Sequence, residues 1–479
     1  MLKSKDKVLK TVNKTLGTDY KKLKKISLGD TTTFMRKYFL RKEGLRFAYI
    51  PEESRFRVYN NGVWEKHDKT HYIEKKIRLI LKAFRQNYKK YNIKNVLHDL
   101  KYEAGKKTHN IIFSDNEQPK DKINFLNGML YLKDMELRGH DYKDYSIFQM
   151  PIEYNPDAKC PKWEKTLTEW VENPNTIDFL QEYVGYLLVP DNSLHLFPIL
   201  YGEGANGKSV FLKVIREIMG VNVSYIGLSQ FFGNQSRWMP AKLQNKLANI
   251  CGDISPIYMK KQGIIKSIIT QDSITVERKN KEPYSLLPIT RFLFSANELP
   301  KSRDKSYGWY RRLEIIPFPN RFVPGTEGYN PDLENQLKKE LPGIVNWAIE
   351  GLIRLKENEE FTKSIDMIQA KNKYIYFNDP ITLFINEHYD ITTCEEDYID
   401  TDQVYQKYKR WSENNNFKPE NKGIMTKLLK RKEVKAKNKT IDGKTSRHYI
   451  GIRPIEDTVE FIFGLDQSDK HQNNEYKAG

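Results

Sequence analysis

The stretch Gly202-Glu203-Gly204-Ala205-Asn206-Gly207-Lys208-Ser209 fits the pattern Gly-x-x-x-x-Gly-Lys-Ser along its whole length. Glycines at these spacings let successive backbone N–H groups converge on phosphate oxygens. The Lys208 ammonium can then reach the β and γ phosphates, and the Ser209 hydroxyl can ligate Mg²⁺. The setting agrees with this chemistry. An apolar run, "HLFPILY" (195–201), ends at Gly202, and "SVFLKVIREIMG" has helical spacing up to Gly220. A strand, a glycine-rich turn and a helix N-terminus together make an anion site, so the expected cofactors are ATP and Mg²⁺.

Hydrolysis asks for more than a loop. It needs an acid at the end of a neighbouring strand to hold the metal, a polar sensor near the γ-phosphate and, in many such enzymes, an arginine from a neighbouring subunit. "LANICGD" supplies Asp253 just past an apolar run. "RFLFSANELP" supplies Asn297 past another, and "GWYRRLEIIPF" offers Arg311 and Arg312. Each has a plainer alternative: a turn aspartate, a loop asparagine and a surface arginine pair. "TVERKNKEP" sets Arg278, Lys279 and Lys281 about a turn. Such a turn can track a nucleic-acid backbone without reading bases, or it can be a solvated charged loop.

The elements that must position these residues follow from spacing. Apolar runs separated by helical stretches suggest an α/β core on a mainly parallel sheet. Before it, "RFRVYNNGVWEKH" reads as a hairpin about Asn-Asn-Gly, residues 71–95 read as helical, and 163–189 read as two helices split by "ENPNT". After it, "ELPGIVNWAIEGLIRL" is helical again. The last module opens near Asp379. "DTDQVYQKYKRW" is a helix capped by Thr401 or Asp402, with Val404, Tyr408 and Trp411 on one face. "NKGIMTKLLKRK" is a second helix, whose Ile424 and Leu428 are expected in a small core. It leaves Lys427, Lys430, Arg431 and Lys432 outward. A hairpin about Asp442-Gly443 carries Lys444 and Arg447. Helix, basic helix, basic hairpin is a winged-helix order, and it would bring a basic helix to the major groove with the wing beside the phosphates.

The whole composition points the same way. The 479 residues carry 80 Lys and Arg against 62 Asp and Glu, a net charge of +18. That excess favours a polyanionic partner, nucleic acid first, over the bland reading of a lysine-rich background. Residues 1–30 hold nine lysines against three acids, which suggests a basic arm. The three cysteines, Cys160, Cys251 and Cys394, are far apart and form no zinc or disulfide pattern. They suit a reducing interior, and no apolar run is long enough to span a bilayer. No membrane partner is expected, and the cytoplasm is the expected location.

The series "GEGANGKS", "LANICGD", "IIKSIITQDSITVERKNKE", "RFLFSANELP", "GWYRRLEIIPFPN" resembles the superfamily 3 helicases. More narrowly it resembles the phage, plasmid and poxvirus-type primase-helicase family, in the style of replication initiators of phage satellites and bacterial genomic islands. "INFLNGMLYL" and "YNPDAKCPKWEKTL" are similar to that family's N-terminal helicase-associated region. The resemblance implies an AAA+-like P-loop ATPase core with an α+β helicase-associated region before it and a winged helix after it. The implied layout is an arm over 1–54, the associated region over 55–190, the core over 191–330, a helical subdomain over 331–378, the winged helix over 379–455 and a tail over 456–479.

Residue by residue, the resemblance implies Lys208 and Ser209 at phosphate and Mg²⁺, Asp253 as the second-motif acid and Asn297 as sensor. Arg311 or Arg312 would be a finger acting on the next subunit of a homo-oligomeric ring, usually a hexamer. Arg278, Lys279 and Lys281 would line the ring channel and grip single-stranded DNA. One departure stands out: relatives often carry two adjacent acids at the second motif, where this chain has Gly252 before Asp253. Asp272 falls in a motif the family also uses, with its role open. The roughly 55 residues before the associated region are too few for a polymerase-type primase fold, so priming would fall to a separate chain. Two functions follow: an ATP-driven, 3′-to-5′ replicative helicase that finds its origin through the winged helix, or an origin-binding protein that uses ATP only as an assembly switch.

Overall fold

A computed structural model describes residues 10, 13–14, 46–50, 55–65, 70–83, 93–101, 117–232, 236–254, 258–259, 262–278, 281–392, 394–415 and 417–455. Most of the basic arm, the turn residue Lys279 and the tail lie outside them, and the backbone but not the side chain of Lys281 is described. The chain divides into two units, Met1–Asn372 and Lys373–Gly479.

The first unit opens on an antiparallel sheet, β1 (Arg46–Ile50), β2 (Arg55–Asn60) and β3 (Val63–Trp64). Asn61 and Gly62 join β2 to β3 with φ of +47° and +83°. Two successive left-handed residues are what a tight hairpin needs to match strand twist. A second antiparallel sheet follows, β4 (Lys122–Phe125), β5 (Gly128–Tyr131) and β6 (Glu136–Arg138). Two helices come next, α1 (Pro161–Trp170) and α2 (Pro174–Leu187), and each starts with proline, whose missing N–H costs nothing there.

The centre is a five-stranded sheet in the order β15-β7-β13-β9-β8, every pair parallel. Its strands are β7 (Phe197–Tyr201), β8 (Val223–Ser224), β9 (Ala248–Cys251), β13 (Arg291–Ala296) and β15 (Leu313–Pro317). All six residues of β13 are buried, which is why its sequence is a continuous apolar run rather than an alternation. The expected α/β core with a parallel sheet is therefore present. Helix α3 (Lys208–Met219) follows β7 and buries Phe211, Leu212, Val214, Ile215, Ile218 and Met219. Between β9 and β13 lie strand β10 (Tyr258–Met259), helix α4 (Gly263–Ile269) and an antiparallel ribbon of β11 (Ile274–Arg278) and β12 (Lys281–Leu286). Strand β14 (Lys301–Ser302) pairs with β10, and α5 (Leu341–Asn358) packs against α2. A large hydrophobic core joins the N-terminal strands to α1, α2, α3 and α5, from Ala48 through Trp163 and Phe211 to Met367.

The second unit holds helices α6 (Pro380–His388), α7 (Thr401–Asn414) and α8 (Lys422–Arg431). Strands β17 (Tyr398–Asp400), β19 (Lys444–Ile450) and β18 (Lys435–Ile441) form a sheet in that order, while β16 (Tyr389–Ile391) pairs with β20 (Ile452–Pro454). Two expectations are corrected here. Asp400, not Thr401 or Asp402, caps α7: its carboxylate accepts from the N–H groups of Asp402 and Gln403, and a residue just outside the helix can do this where one inside cannot. Met425 and Leu429 form the fully buried pair of α8; the expected Leu428 packs partly buried against the same core, while the expected Ile424 is 37 % exposed. The helix carries two apolar pairs four residues apart, and contact with the sheet decides between them. Thr426 Oγ1 lies 2.8 Å from Tyr449 Oη on β19.

Candidate functional site

Three neighbouring strands, β7, β13 and β9, end at the same edge of the parallel sheet, and the loops beyond their carboxyl ends meet there. This edge is where α/β sheets bind ligands. The loop after β7 is Gly202–Gly207, the loop after β9 carries Asp253, and the loop after β13 carries Asn297.

The loop's shape rests on local chemistry. Gly204, Ala205 and Gly207 take φ of +110°, +51° and +85°. At Gly207 a Cβ would lie 2.2 Å from the Trp170 ring, and at Gly202 one would lie 2.1 Å from Asn206 Nδ2 and 2.4 Å from the Phe318 carbonyl oxygen. Both glycines are therefore required by close approach. Asn206 ties the loop down by donating to the Phe318 carbonyl at 3.0 Å. The Phe322 N–H donates to the Ala205 carbonyl at 2.6 Å. The first helical bond of α3 runs from Phe211 N to Gly207 O, so the N–H groups before it have no acceptor inside the helix.

Lys208 is 4 % exposed. Its ammonium donates to the Gly202 carbonyl at 2.5 Å, Asn206 Oδ1 at 2.8 Å and Asn297 Oδ1 at 3.2 Å. All three acceptors are neutral. Burial accordingly pushes its pKa down to about 8, against the opposing pull of the Asp253 carboxylate. Asp253 is itself exposed, in a left-handed conformation with φ +53°, and its N–H donates to Ser295 Oγ at 3.1 Å. Asn297 and Ser209 are likewise exposed. A cleft of about 440 Å³ opens over these groups, lined by Gly204 through Ser209, Asp253, Ser295 and Asn297, with Tyr329 and Asn330 along another side. That volume suits a small-molecule ligand, for which about 300–1,000 Å³ is usual. Gly202 lies buried beneath the wall, and Glu203 is exposed outside it.

Arg311 and Arg312 are elsewhere. They follow the short helix Tyr307–Tyr310 and precede β15, whose first residue Leu313 pairs with Phe197, the first of β7. They therefore sit at the sheet's amino edge, roughly 16 Å from the phosphate-loop edge at about 3.3 Å per residue. Arg312 is half-buried and donates to the Gly308 carbonyl, and its Nε is buried without an acceptor among the described residues. Arg311 is exposed. Asp272 faces the arginine pair rather than the cleft: its charge opposes the lowering of the Arg312 pKa that burial and Arg311 cause. Arg278 packs over the Tyr284 ring at 4.4 Å and donates to Tyr284 Oη at 3.0 Å and to Gln244 Oε1. In the second unit Lys427, Lys430, Arg431, Lys444 and Arg447 are exposed and Lys432 is half-buried.

Sequence reasoning passed over Trp170, Ser295 and Tyr329. Trp170 lies in another element with no fixed spacing from the loop, and its ring stands against Gly207 and 6.2 Å from Phe318. Ser295 had a signal, the lone polar residue near the end of an apolar strand.

Family models match in chain order. Residues 32–172 match "D5 N terminal like", 200–312 match a family of unknown function (DUF5906), and 377–460 match "Poxvirus D5 protein-like". Together with the viral relatives below, these matches support a likeness to the phage and viral primase-helicase family. Among curated relatives, "Putative helicase L207/L206" of Acanthamoeba polyphaga mimivirus is 28 % identical over 179 residues, covering 35 % of this chain and 18 % of the relative. "Putative helicase 184R" of Invertebrate iridescent virus 6 is 20 % identical over 346 residues, covering 62 % of this chain and 34 % of the relative. The chain thus spans between a fifth and a third of these relatives' length. Among solved structures, the apo form of the NrS-1 C terminal region aligns with a TM-score of 0.51 at 12 % identity, over 90 % of this chain and 100 % of that one. That likeness is one of fold.

Proposed function

We propose that the chain is an ATP-dependent DNA helicase that starts replication. The observation that carries this reading is the meeting of Lys208, Asp253 and Asn297 at one sheet edge, around a buried cation whose acceptors are all neutral. A buried ammonium with no bonded counter-charge favours an anionic ligand. In the bound state Lys208 exchanges neutral oxygens for the β and γ phosphates of ATP, while the first-turn N–H groups of α3 bind the phosphate chain. Ser209 and Asp253 hold Mg²⁺, which neutralises charge on the phosphate oxygens. Asn297, already within reach of Lys208, orients the attacking water or senses the γ-phosphate.

Arg311, at the opposite edge, serves the site of the next subunit, in a homo-oligomeric ring of hexameric type. The β11–β12 ribbon with Arg278, Lys279 and Lys281 follows single-stranded DNA in the ring channel, moving 3′ to 5′ by family likeness. The second unit acts as a winged helix on origin duplex, with Lys427, Lys430, Arg431 and Lys432 toward the groove and Lys444 and Arg447 on the wing.

One feature favours a second reading, an ATP-switched origin-binding protein or loader: the single acid at the second motif. A Cβ at Gly252 would lie 3.3 Å from Ser295 Oγ, which leaves little room for a second carboxylate there. Strand displacement on a forked DNA substrate, with and without ATP and Mg²⁺, decides between the two. Unwinding that needs both supports the helicase. ATP-dependent duplex binding with no displacement at any protein concentration supports the switch.

A further inference from the structure

A second, larger cleft lies away from the ATP site. It holds about 1,390 Å³ and runs between the N-terminal strands, at Val63 and Trp64, and the β8 edge of the parallel sheet. That exceeds the roughly 1,000 Å³ upper range of small-ligand pockets and fits a run of polymer instead.

Its walls combine unpaired positive charge with exposed apolar surface. Among the described residues no carboxylate pairs with Arg216, Lys242, Lys246 or Arg278, all of which line it. Of the three acids that line the cleft, Glu65 accepts from Asn60 at 3.0 Å and the other two are ion-paired. Glu334 pairs with Lys213 at 2.7 Å and with Lys338 at 2.9 Å, and Glu217 pairs with Lys338 at 3.1 Å. Lys246 instead donates to the Val221 carbonyl at 2.5 Å, and Arg216 donates to the Ile250 carbonyl at 2.9 Å. Beside them Tyr225 is 59 % exposed, with the Arg216 guanidinium 5.2 Å from its ring centre, and Val221 is 73 % exposed. Basic groups spaced along a groove, with an aromatic face backed by an arginine, match the way single strands are held without sequence preference. Arg278 ties this cleft to the β11–β12 ribbon, because it is the last described residue of β11 and also lines the cleft.

We propose that this cleft is a second binding site for single-stranded DNA, continuous with the ribbon, in which a base stacks on Tyr225 and the phosphates lie along Lys242, Lys246 and Arg278. The proposal rests on the reading of the chain as a DNA helicase, and assigns that reading a path outside the channel turn.

The test uses the full chain and a twelve-residue oligothymidylate bearing one 5-iodouracil. Photo-crosslinking followed by peptide mapping is expected to mark Tyr225. The double variant Tyr225→Ala/Lys242→Glu changes two exposed side chains, and is expected to weaken oligonucleotide binding by roughly tenfold or more. It should also lower the salt slope by about one and leave DNA-independent ATP hydrolysis unchanged. Crosslinks confined to residues 274–286, with wild-type binding by the double variant, overturn the cleft assignment and leave the helicase reading standing. So does duplex of the same sequence competing as well as the single strand, or a folded partner protein, rather than DNA, protecting Tyr225 from modification. No binding of the oligonucleotide anywhere on the chain overturns both.

Discussion

Lys208 and Arg311 are cations at opposite edges of one parallel sheet, and the fold treats them in opposite ways. Lys208 is buried, and its ammonium is fixed by three oxygens from two loops. Arg311 is exposed at the end of a four-residue helix. A group that serves a ligand in its own chain can be positioned before the ligand arrives, and its desolvation then strengthens the contact with phosphate. A group that serves a neighbour gains from staying free until that neighbour is present. Under the proposed function the two are halves of one site, divided between subunits.

The largest expected effect is at the buried end. Lys208→Ala removes the ammonium that bonds to Gly202, Asn206 and Asn297, and is expected to abolish ATP hydrolysis and unwinding with the far-ultraviolet circular dichroism unchanged. Turnover near the wild-type level would break the comparison at its root. Next comes Arg311→Ala, with an expected loss of turnover of roughly 10³-fold and ATP binding retained. Mixed with Lys208→Ala protein it should recover part of the hydrolysis, because each variant supplies what the other lacks. Arg312→Ala should cost less activity and more thermal stability, since Arg312 is half-buried and bonded to its own helix. Failure to complement at every mixing ratio would place both halves of the site within one chain.

A smaller, graded effect should follow from the Lys208 pKa. Burial lowers it to about 8 in the free protein, and phosphate must raise it, since only the ammonium is attracted. ATP binding therefore takes up a proton above that pH. Affinity should be flat below pH 7 and fall as pH rises through 8, approaching about tenfold per pH unit. Calorimetry in two buffers of different ionisation enthalpy reads the uptake directly, and a pH-independent affinity between 7 and 9.5 would contradict it. The smallest effect belongs to exposed cations of the second unit. Lys427→Ala and Lys430→Ala should each weaken duplex binding a few-fold and lower the salt slope by about one. Unchanged slopes in filter binding would move the origin contact elsewhere.

Much of this was legible in the sequence, because the phosphate loop and the two apolar strands carry their signals in contiguous residues. Gly202, Gly207 and Lys208 are marked by spacing alone, and the continuous run "RFLFSA" announces a strand buried on both faces. The ribbon about residues 274–286 and the Asp442-Gly443 hairpin were equally visible. What stayed hidden depends on contacts between distant segments. Nothing local in "TLTEWVEN" says that Trp170 stands behind Gly207, and two equivalent apolar pairs in α8 leave the choice to Tyr449 and its sheet. The cap of α7 was missed by one residue because Asp400, Thr401 and Asp402 are all competent acceptors, and only backbone geometry separates them. The wide cleft beside Tyr225 had no sequence signal at all, since its cations come from three separate segments.

The contact between Trp170 and Gly207 has a thermodynamic consequence. The indole belongs to the region ahead of the sheet, yet it forms the back wall of the phosphate loop, and Trp163 stacks on Phe211 of α3 at 5.4 Å. A chain cut before residue 191 would open a hole where two tryptophans had been, and the loss of even one buried Trp costs about 3–5 kcal/mol. The two regions should therefore melt together as a single calorimetric transition, and nucleotide should raise the melting temperature of both by the same amount.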